Sequence, residues 1–295
     1  MKILNRILAC TLAGALILSA ACTEEEVLTP SDESLIIAPT FPESALGNQA
    51  KALYEKYGVE LVFEGENLQQ EAFSNFLESL QSSIQPPITQ ASEEDITMAI
   101  TVLDKWFASL PEGFISEQGK KTFLVGTLEP GGWDAYDGFT YDSYAFYYYQ
   151  FVTAIDDFII SDNTEEVLYQ TDLVYNMAEM IGQSYAYGKI QELEKFQFIS
   201  QAYYKDWPAY AESGLMAGGF LSSEGQRSYA KDFGVFVAEI MTNTREEMMA
   251  KYEGYAFIEQ KYELVIDSFK RQGWDLQDIG NKYSSSRATF QSVPE

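Results

Sequence analysis

The positions of the two cysteines and the lack of histidine constrain this sequence more than any other feature. Cys10 and Cys22 both lie within the first 22 residues, and the chain contains no histidine. Whatever folds beyond them therefore has neither a disulfide nor a thiolate metal site. It also lacks the commonest zinc ligand, the commonest general base and the imidazole of serine or cysteine triads. An apolar core must hold the fold together, and 295 residues with 46% hydrophobic content suffice for one.

The charge balance excludes one class of partner. The formal net charge is −26, a field that repels phosphate backbones, so we expect no nucleic-acid binding. It also argues against docking on an anionic membrane by charge. We interpret the acidity itself as an aid to solubility outside the cell.

Residues 1–21 are predicted to be a lipoprotein signal peptide. Lys2 and Arg6 precede an apolar run at 7–21, which is too short to cross a bilayer as a stable helix. The run ends in Leu-Ser-Ala-Ala before Cys22, a pattern that resembles a bacterial lipobox with Ser19 where Leu is preferred. Cys22 is then the lipidated N-terminus. The alternative is an ordinary secretory signal with Cys22 incidental.

Residues 22–42 are predicted to be an acidic, proline-containing tether. The run Glu24 to Glu26 resembles the signal that sends lipoproteins of Bacteroidota-type bacteria to the cell surface, although a solvated charge run is the alternative. Pro30, Pro39 and Pro42 favour an extended chain. We therefore expect an outer-membrane protein that is anchored by lipid and has a single domain at 43–295. The glutamate run predicts exposure at the cell surface, and the alternative is retention on the inner leaflet.

The mature chain predicts an α+β fold with a small mixed sheet in the N-terminal half and a helical C-terminal half. Predicted strands are 59–63, 121–127 and 145–154, and 129–138 is rich in turns. Predicted helices are 45–57, 68–84, 92–110, 163–187, 222–241, 244–252, 256–272 and 275–288. The aromatic residues of the third strand are either core or a ligand platform.

The segment 173–183, LVYNMAEMIGQ, resembles the active-site helix of a family of zinc metallohydrolase lipoproteins. These occur beside TonB-dependent nutrient importers in Bacteroidota. The resemblance continues in order through 123–126, 198–200, 203–204, 206–207, 219–220, 232–233, 242–244, 258–261 and 274–276. It implies a zincin-like metallopeptidase scaffold over most of the mature chain.

In that family the helix carries His-Glu-X-X-His, whose histidines bind zinc while the Glu activates water. The resemblance aligns Tyr175 and Glu179 with the histidines, Asn176 with the Glu, Gly182 with a further His and Val235 with a downstream acidic residue. A phenol keeps its proton to about pH 10. An amide cannot act as a general base, and one carboxylate does not hold a catalytic zinc ion. We therefore expect no cofactor and no catalytic residues.

The leading hypothesis is a non-catalytic binding or accessory subunit of a TonB-dependent import system for glycans or peptides. Its partners would be the importer and the substrate-binding lipoprotein. A ligand cleft would be flanked by Tyr175, Asn176 and Glu179, with aromatic contacts from Tyr203, Tyr204 and Trp207. The alternative for these residues is ordinary core packing.

Three further alternatives stay open. One is a hydrolase built on carboxylates such as Glu179, Asp172 and Glu239. Another is a structural site for a hard cation such as Ca²⁺, which prefers oxygen ligands. The last is an accessory lipoprotein with no ligand of its own.

Overall fold

A computed structural model describes residues 39–66, 68–73, 87–128, 143–146, 150–156, 158–188, 193–204 and 212–291. Its strands are β1 (Glu60–Val62), β2 (Lys121–Val125), β3 (Ser143–Phe146) and β4 (Gln150–Ala154). Its helices are α1 (Ala45–Tyr57), α2 (Leu68–Ala72), α3 (Glu93–Ser109), α4 (Phe114–Gln118), α5 (Thr164–Gln170), α6 (Leu173–Gly188), α7 (Glu194–Ser200), α8 (Glu212–Ala217), α9 (Tyr229–Thr242), α10 (Arg245–Lys251), α11 (Ala256–Lys270) and α12 (Leu276–Gln291). A 3₁₀ turn, Gln201–Tyr203, follows α7.

The sheet is mixed and its strand order is β1-β2-β4-β3. β1, β2 and β4 run parallel, and β3 pairs antiparallel with β4 at the edge. Side chains alternate across β2: Leu124 joins the large core shared with the helices, while Phe123 and Val125 join a smaller cluster with α2. Burial on both faces explains the continuous apolar sequence of β2. The predicted α+β class, with strands first and helices after, is confirmed.

Several helix ends match their sequence signals. The Ser44 hydroxyl accepts the backbone N–H of Gly47 at the start of α1, and Gly58 ends that helix with φ of 72°. Ser92 caps α3 in the same way. Thr244 and Glu247 form a reciprocal capping box at α10. These three helices lie within a residue of the predicted bounds because their caps are local.

The predicted helix 163–187 is wrong in one respect: it is two helices, α5 and α6. The chain is extended at Thr171, where φ is −103° and ψ is 161°. The Thr171 hydroxyl donates to the carbonyl of Val167 at 2.6 Å, which offers the backbone an alternative to helical continuation. The break starts α6 afresh just before Tyr175.

Two other predicted elements also differ. The strand predicted over 145–154 falls on two strands, β3 and β4, which pair antiparallel with Phe146 opposite Gln150. The helix predicted from 222 begins at Tyr229. Before it, the Ser222 hydroxyl accepts the N–H of Gly225, and Gln226 donates to the carbonyl of Tyr203. The sequence analysis does not predict helices α4, α7 and α8.

The described residues leave several predictions untested. Residues 1–38, 74–86, 129–142 and 147–149 lie outside them, and so do the signal peptide, most of the tether, the end of helix 68–84 and the predicted turns. Residues Phe41–Glu295 form one compact unit. Within the part that is described, no helix is both long and apolar enough to cross a bilayer.

A fully buried ion pair joins the helices of the C-terminal half. The Lys261 ammonium on α11 lies 2.5 Å from Oδ2 of Asp232 on α9 and donates to the carbonyl of Gly219 at 2.9 Å. The Tyr204 hydroxyl donates to the same carboxylate oxygen at 2.6 Å. The two charged side chains are 0% and 1% exposed. Burial lowers the pKa of Lys261 and raises that of Asp232.

Aromatic rings surround this ammonium. The centroids of Phe196, Tyr204, Phe220 and Phe236 lie 4.3 to 5.8 Å from the Lys261 Nζ. Their negative ring faces partly replace the water that a buried cation loses. The ion pair therefore lies in an aromatic cage that fixes α7, α9, α11 and the segment after α8 against one another.

We expect Lys261→Met to destabilise the protein by about 3–5 kcal/mol, because it leaves Asp232 buried without its counter-ion. The measurement is the free energy of unfolding in urea. Lys270→Met on the same helix is the control. Lys270 is exposed and lies 3.9 Å from Asp275, a long distance for an ion pair, so we expect a loss of about 0–1 kcal/mol there. The double variant Lys261→Met, Asp232→Leu should recover most of the loss. A loss of less than about 1 kcal/mol for the single variant would contradict this role.

Candidate functional site

The positions that the resemblance assigns to a metal site lie on two closely packed helices, α6 and α9. These two helices contact each other more extensively than any other pair of elements. A Cβ atom placed on Gly182 would lie 2.7 Å from the Cα of Gly234 and 2.8 Å from the Cβ of Val237. One placed on Gly234 would lie 2.7 Å from the carbonyl oxygen of Glu179. Two glycines facing each other thus bring the helix backbones together.

Glu179, aligned with the second histidine of the motif, is buried and ion-paired. Its Oε1 lies 2.6 Å from the Nζ of Lys231 on α9, and its side chain is 7% exposed. The same ammonium lies 3.2 Å from the carboxylate of Glu224. Gln183, one turn along α6, donates to Glu179 Oε1 at 2.6 Å. We refer to Glu179, Gln183, Glu224 and Lys231 as the lysine cluster.

Burial and the opposite charges nearby set the pKa values of the lysine cluster. Burial raises the pKa of Glu179 in spite of the neighbouring ammonium. Burial alone would lower the pKa of Lys231, but the carboxylates of Glu179 and Glu224 outweigh it and the pKa is raised. Lys231 therefore stays protonated at neutral pH, and its ammonium is enclosed by two carboxylates.

Tyr175 and Asn176 lie half-buried on α6, and Tyr175 packs against the main core. Burial raises the pKa of the Tyr175 phenol well above its usual value, and the carboxylates of Glu239 and Glu179 raise it further. The phenol therefore keeps its proton, and a protonated phenol is a poor ligand for zinc.

The donor set at the aligned positions does not fit a zinc ion. It offers a phenol, an amide, a carboxylate already paired with Lys231, and the two apolar residues Gly182 and Val235. A histidine at 182 would also collide with Gly234, because the two backbones are too close for a side chain. Across the residues that the structure describes, no three His, Cys, Asp or Glu side chains are grouped so that they could hold a metal ion.

The carboxylates of the alternative hydrolase site do not form an acid–base pair. Glu179 is held by Lys231. Glu239 lies 3.0 Å from the ammonium of Lys251 and accepts from the side-chain amide of Asn243 at 3.2 Å. Asp172 is exposed just before α6. Each of the two buried carboxylates has its own lysine.

The predicted aromatic contacts fall in different environments. Tyr204 belongs to the buried aromatic cage around Lys261, where its hydroxyl donates a hydrogen bond to Asp232. Tyr203 is 37% exposed, and its ring centroid lies 6.2 Å from that of Phe257. Trp207 lies outside the described residues. The structure gives Tyr204 a packing role, while Tyr203 remains accessible.

Sequence reasoning missed Lys231, Gln183 and Glu224, the residues that surround Glu179. One signal was available. Gln183 lies four residues after Glu179, and Lys231 lies four before Val235, so each is one helical turn from an aligned position. A lysine one turn from a position that the resemblance aligns with a metal ligand is a candidate partner for a carboxylate there.

Comparisons with known proteins give one informative likeness. No protein-family model matches the chain, and no curated protein matches it. Its structure is similar to the crystal structure of a proposed zinc-binding metallo-peptidase from Bacteroides caccae, with a TM-score of 0.54 and 13% sequence identity. The match covers 86% of this chain and 97% of the other. The chain therefore has a metallopeptidase-like fold.

Lys231→Met should destabilise the protein by about 3–5 kcal/mol at neutral pH, because Glu179 would stay buried without its counter-ion. A buried glutamate with a raised pKa destabilises the fold above that pKa, and the penalty disappears as the pH falls toward the unfolded value of about 4.3. The difference from the unsubstituted protein should therefore shrink between about pH 7 and pH 5. Unfolding in urea across this range is the measurement.

Lys56→Met serves as the control, since Lys56 also pairs with a carboxylate, that of Asp104, but both side chains are about half exposed. Water then screens the pair, and about 0–1 kcal/mol is expected. Equal losses in both variants, or a loss for Lys231→Met that does not change with pH, would contradict the role of the lysine cluster.

Proposed function

We propose that this chain is a non-catalytic protein with a metallopeptidase-like fold, in which an internal ion pair has taken the place of the metal. The observation that carries the proposal is the contact of 2.6 Å between Lys231 and Glu179, at the position that the resemblance assigns to a zinc ligand. The protein acts either by binding a ligand or as an accessory subunit of partner proteins.

The chemistry of the pair explains why such a site does not turn over substrate. A catalytic zinc ion keeps one coordination position for water and lowers its pKa to about 7. An ammonium held between the carboxylates of Glu179 and Glu224 supplies positive charge but binds no water as a nucleophile. Asn176, at the position of the general base, accepts no proton.

Added zinc is expected to leave the mature domain unchanged. A metal present at a hundred times its Kd would stabilise the fold by about 2.7 kcal/mol, which raises the Tm by roughly 5–10 °C for a domain of this size. We expect a change of less than about 1 °C between Zn²⁺ and EDTA, together with almost no zinc in the purified protein by mass spectrometry. Zinc bound at one ion per chain would refute the proposal.

We further propose that the protein is anchored at the outer membrane through Cys22 and is displayed at the cell surface. Support comes from the lipobox-like end of the signal segment and from the acidic run that follows Cys22. Its proposed partners are a TonB-dependent importer and the substrate-binding lipoprotein of that importer, for glycans or peptides. The family resemblance supports this association.

Replacing the anchor residue should release the protein from the membrane. Cys22→Ser is expected to abolish metabolic labelling by palmitate and to move the chain to the soluble fraction, because lipid chains supply about 0.8 kcal/mol per buried CH₂. Cys10→Ser is the matched control and should leave both unchanged. Labelling that survives Cys22→Ser would rule out this anchor.

The partners are tested on the full-length, lipidated chain, extracted in mild detergent from its own cells after cross-linking. Recovery of an importer and its lipoprotein subunit with the unsubstituted protein, and not with Cys22→Ser, supports the association. Recovery of no outer-membrane protein would contradict it.

A further inference from the structure

An open cleft lies between α3, α5 and α12. None of the described residues that line it belongs to α6 or α9. Its volume is about 560 Å³, which lies within the range of small-molecule sites. Residues of all three helices line it, among them Trp106, Tyr169 and Tyr283. We call this feature the α3–α12 cleft.

Aromatic rings form one wall of the α3–α12 cleft. Tyr169 of α5 contacts Tyr283 edge-to-face, with centroids 5.1 Å apart, and its centroid lies 5.9 Å from that of Phe290. The Tyr283 hydroxyl is already used, because it donates to the carbonyl of Leu168 at 2.9 Å. This wall therefore offers apolar ring faces and edges, which suit a flat or ring-shaped ligand.

The cleft offers hydrogen-bond donors beside the carboxylate of Glu165. Trp106 lines it and is 1% exposed, and its indole N–H has no hydrogen-bond partner in the described part of the chain. An unsatisfied buried N–H is unfavourable, so an acceptor that reaches it is bound preferentially. Lys105 and Lys282 also line the cleft, in a protein whose net charge is −26.

The two lysines differ in availability. Lys105 is ion-paired with Glu165 across the cleft, from α3 to α5. Among the residues that the structure describes, Lys282 pairs only with Asp278 on its own helix, and both side chains are more than half exposed. Such an i,i+4 pair is weak, so the Lys282 ammonium can exchange its partner for a ligand carboxylate.

We propose that the α3–α12 cleft binds a small carboxylate attached to a ring. The ring packs against Tyr169, Tyr283 and Phe290. The carboxylate accepts from the Lys282 ammonium and, after a small rearrangement of the wall, from the Trp106 indole N–H. An aromatic acid and a sugar acid share this chemistry. The inference is independent of the proposed loss of the metal.

The test uses the mature protein with two probes, phenylacetate and glucuronate, and the uncharged phenylacetamide for comparison. Ligands of this size bind with a Kd of about 1–10 mM in a site of this kind, and ligand-detected NMR measures it. At least one acid should saturate, and the tighter of the two identifies the ring. Phenylacetamide should bind at least about threefold more weakly than phenylacetate if the aromatic acid is preferred.

Lys282→Gln should weaken binding of the preferred acid by about threefold to tenfold. Lys51→Gln is the matched control, since Lys51 also forms an exposed i,i+4 pair, with Glu55. Both residues lie on α1, outside the cleft. Phe290→Ala should weaken binding as well, provided that its unfolding in urea remains cooperative. Failure of both acids to saturate, or equal affinities for Lys282→Gln and Lys51→Gln, would overturn the proposal.

Discussion

The helical half of this protein depends on one buried charge. An unpaired ammonium in the core would be highly unfavourable, so the 0% exposed Lys261 requires Asp232, the Gly219 carbonyl and four aromatic rings to be in place together. Those partners come from α7, the 3₁₀ turn region, the segment after α8, α9 and α11. The short segments of the family resemblance at 203–204, 219–220, 232–233 and 258–261 supply Tyr204, Gly219, Phe220, Asp232 and Lys261. Segments that lie far apart along the sequence thus meet at a single ion pair.

The sequence predicts those elements whose ends are fixed by local chemistry. Ser44 and Gly58 bound α1 as expected, and Ser92 and Thr244 begin their helices through side-chain hydrogen bonds to nearby backbone. Predictions failed where periodicity continued across a break. The apolar spacing of 163–187 is uninterrupted, yet the Thr171 hydroxyl bonds to Val167 and the chain leaves the helix. The sequence predicts one strand where the structure has β3 and β4, because aromatic residues are favourable in both strands and the pattern gives no signal that separates them.

The residue types at the aligned positions can be read from the sequence, whereas the contacts that they make cannot. The types at 175, 176, 179, 182 and 235 predict that these positions do not bind zinc. The ion pair is a tertiary contact: Lys231 meets Glu179 only because Gly182 and Gly234 let α6 and α9 approach closely. A side chain at either glycine would separate the helices and with them the two charges. The backbone contact and the ion pair therefore depend on each other, and neither is visible in the sequence of one helix.

Adjacent residues of α9 serve the two ion pairs, and this places α9 at the centre of the domain. Lys231 supplies a cation to Glu179 of α6, while Asp232 supplies an anion to Lys261 of α11. A zinc ion held by neutral histidines needs no such carboxylate, whereas a glutamate buried in a metal-free site does need a cation. Lys231 is the partner within reach that keeps α6 and α9 packed around this buried carboxylate. Because the two charges are adjacent on one helix, α9 couples the packing of α6 to that of α11.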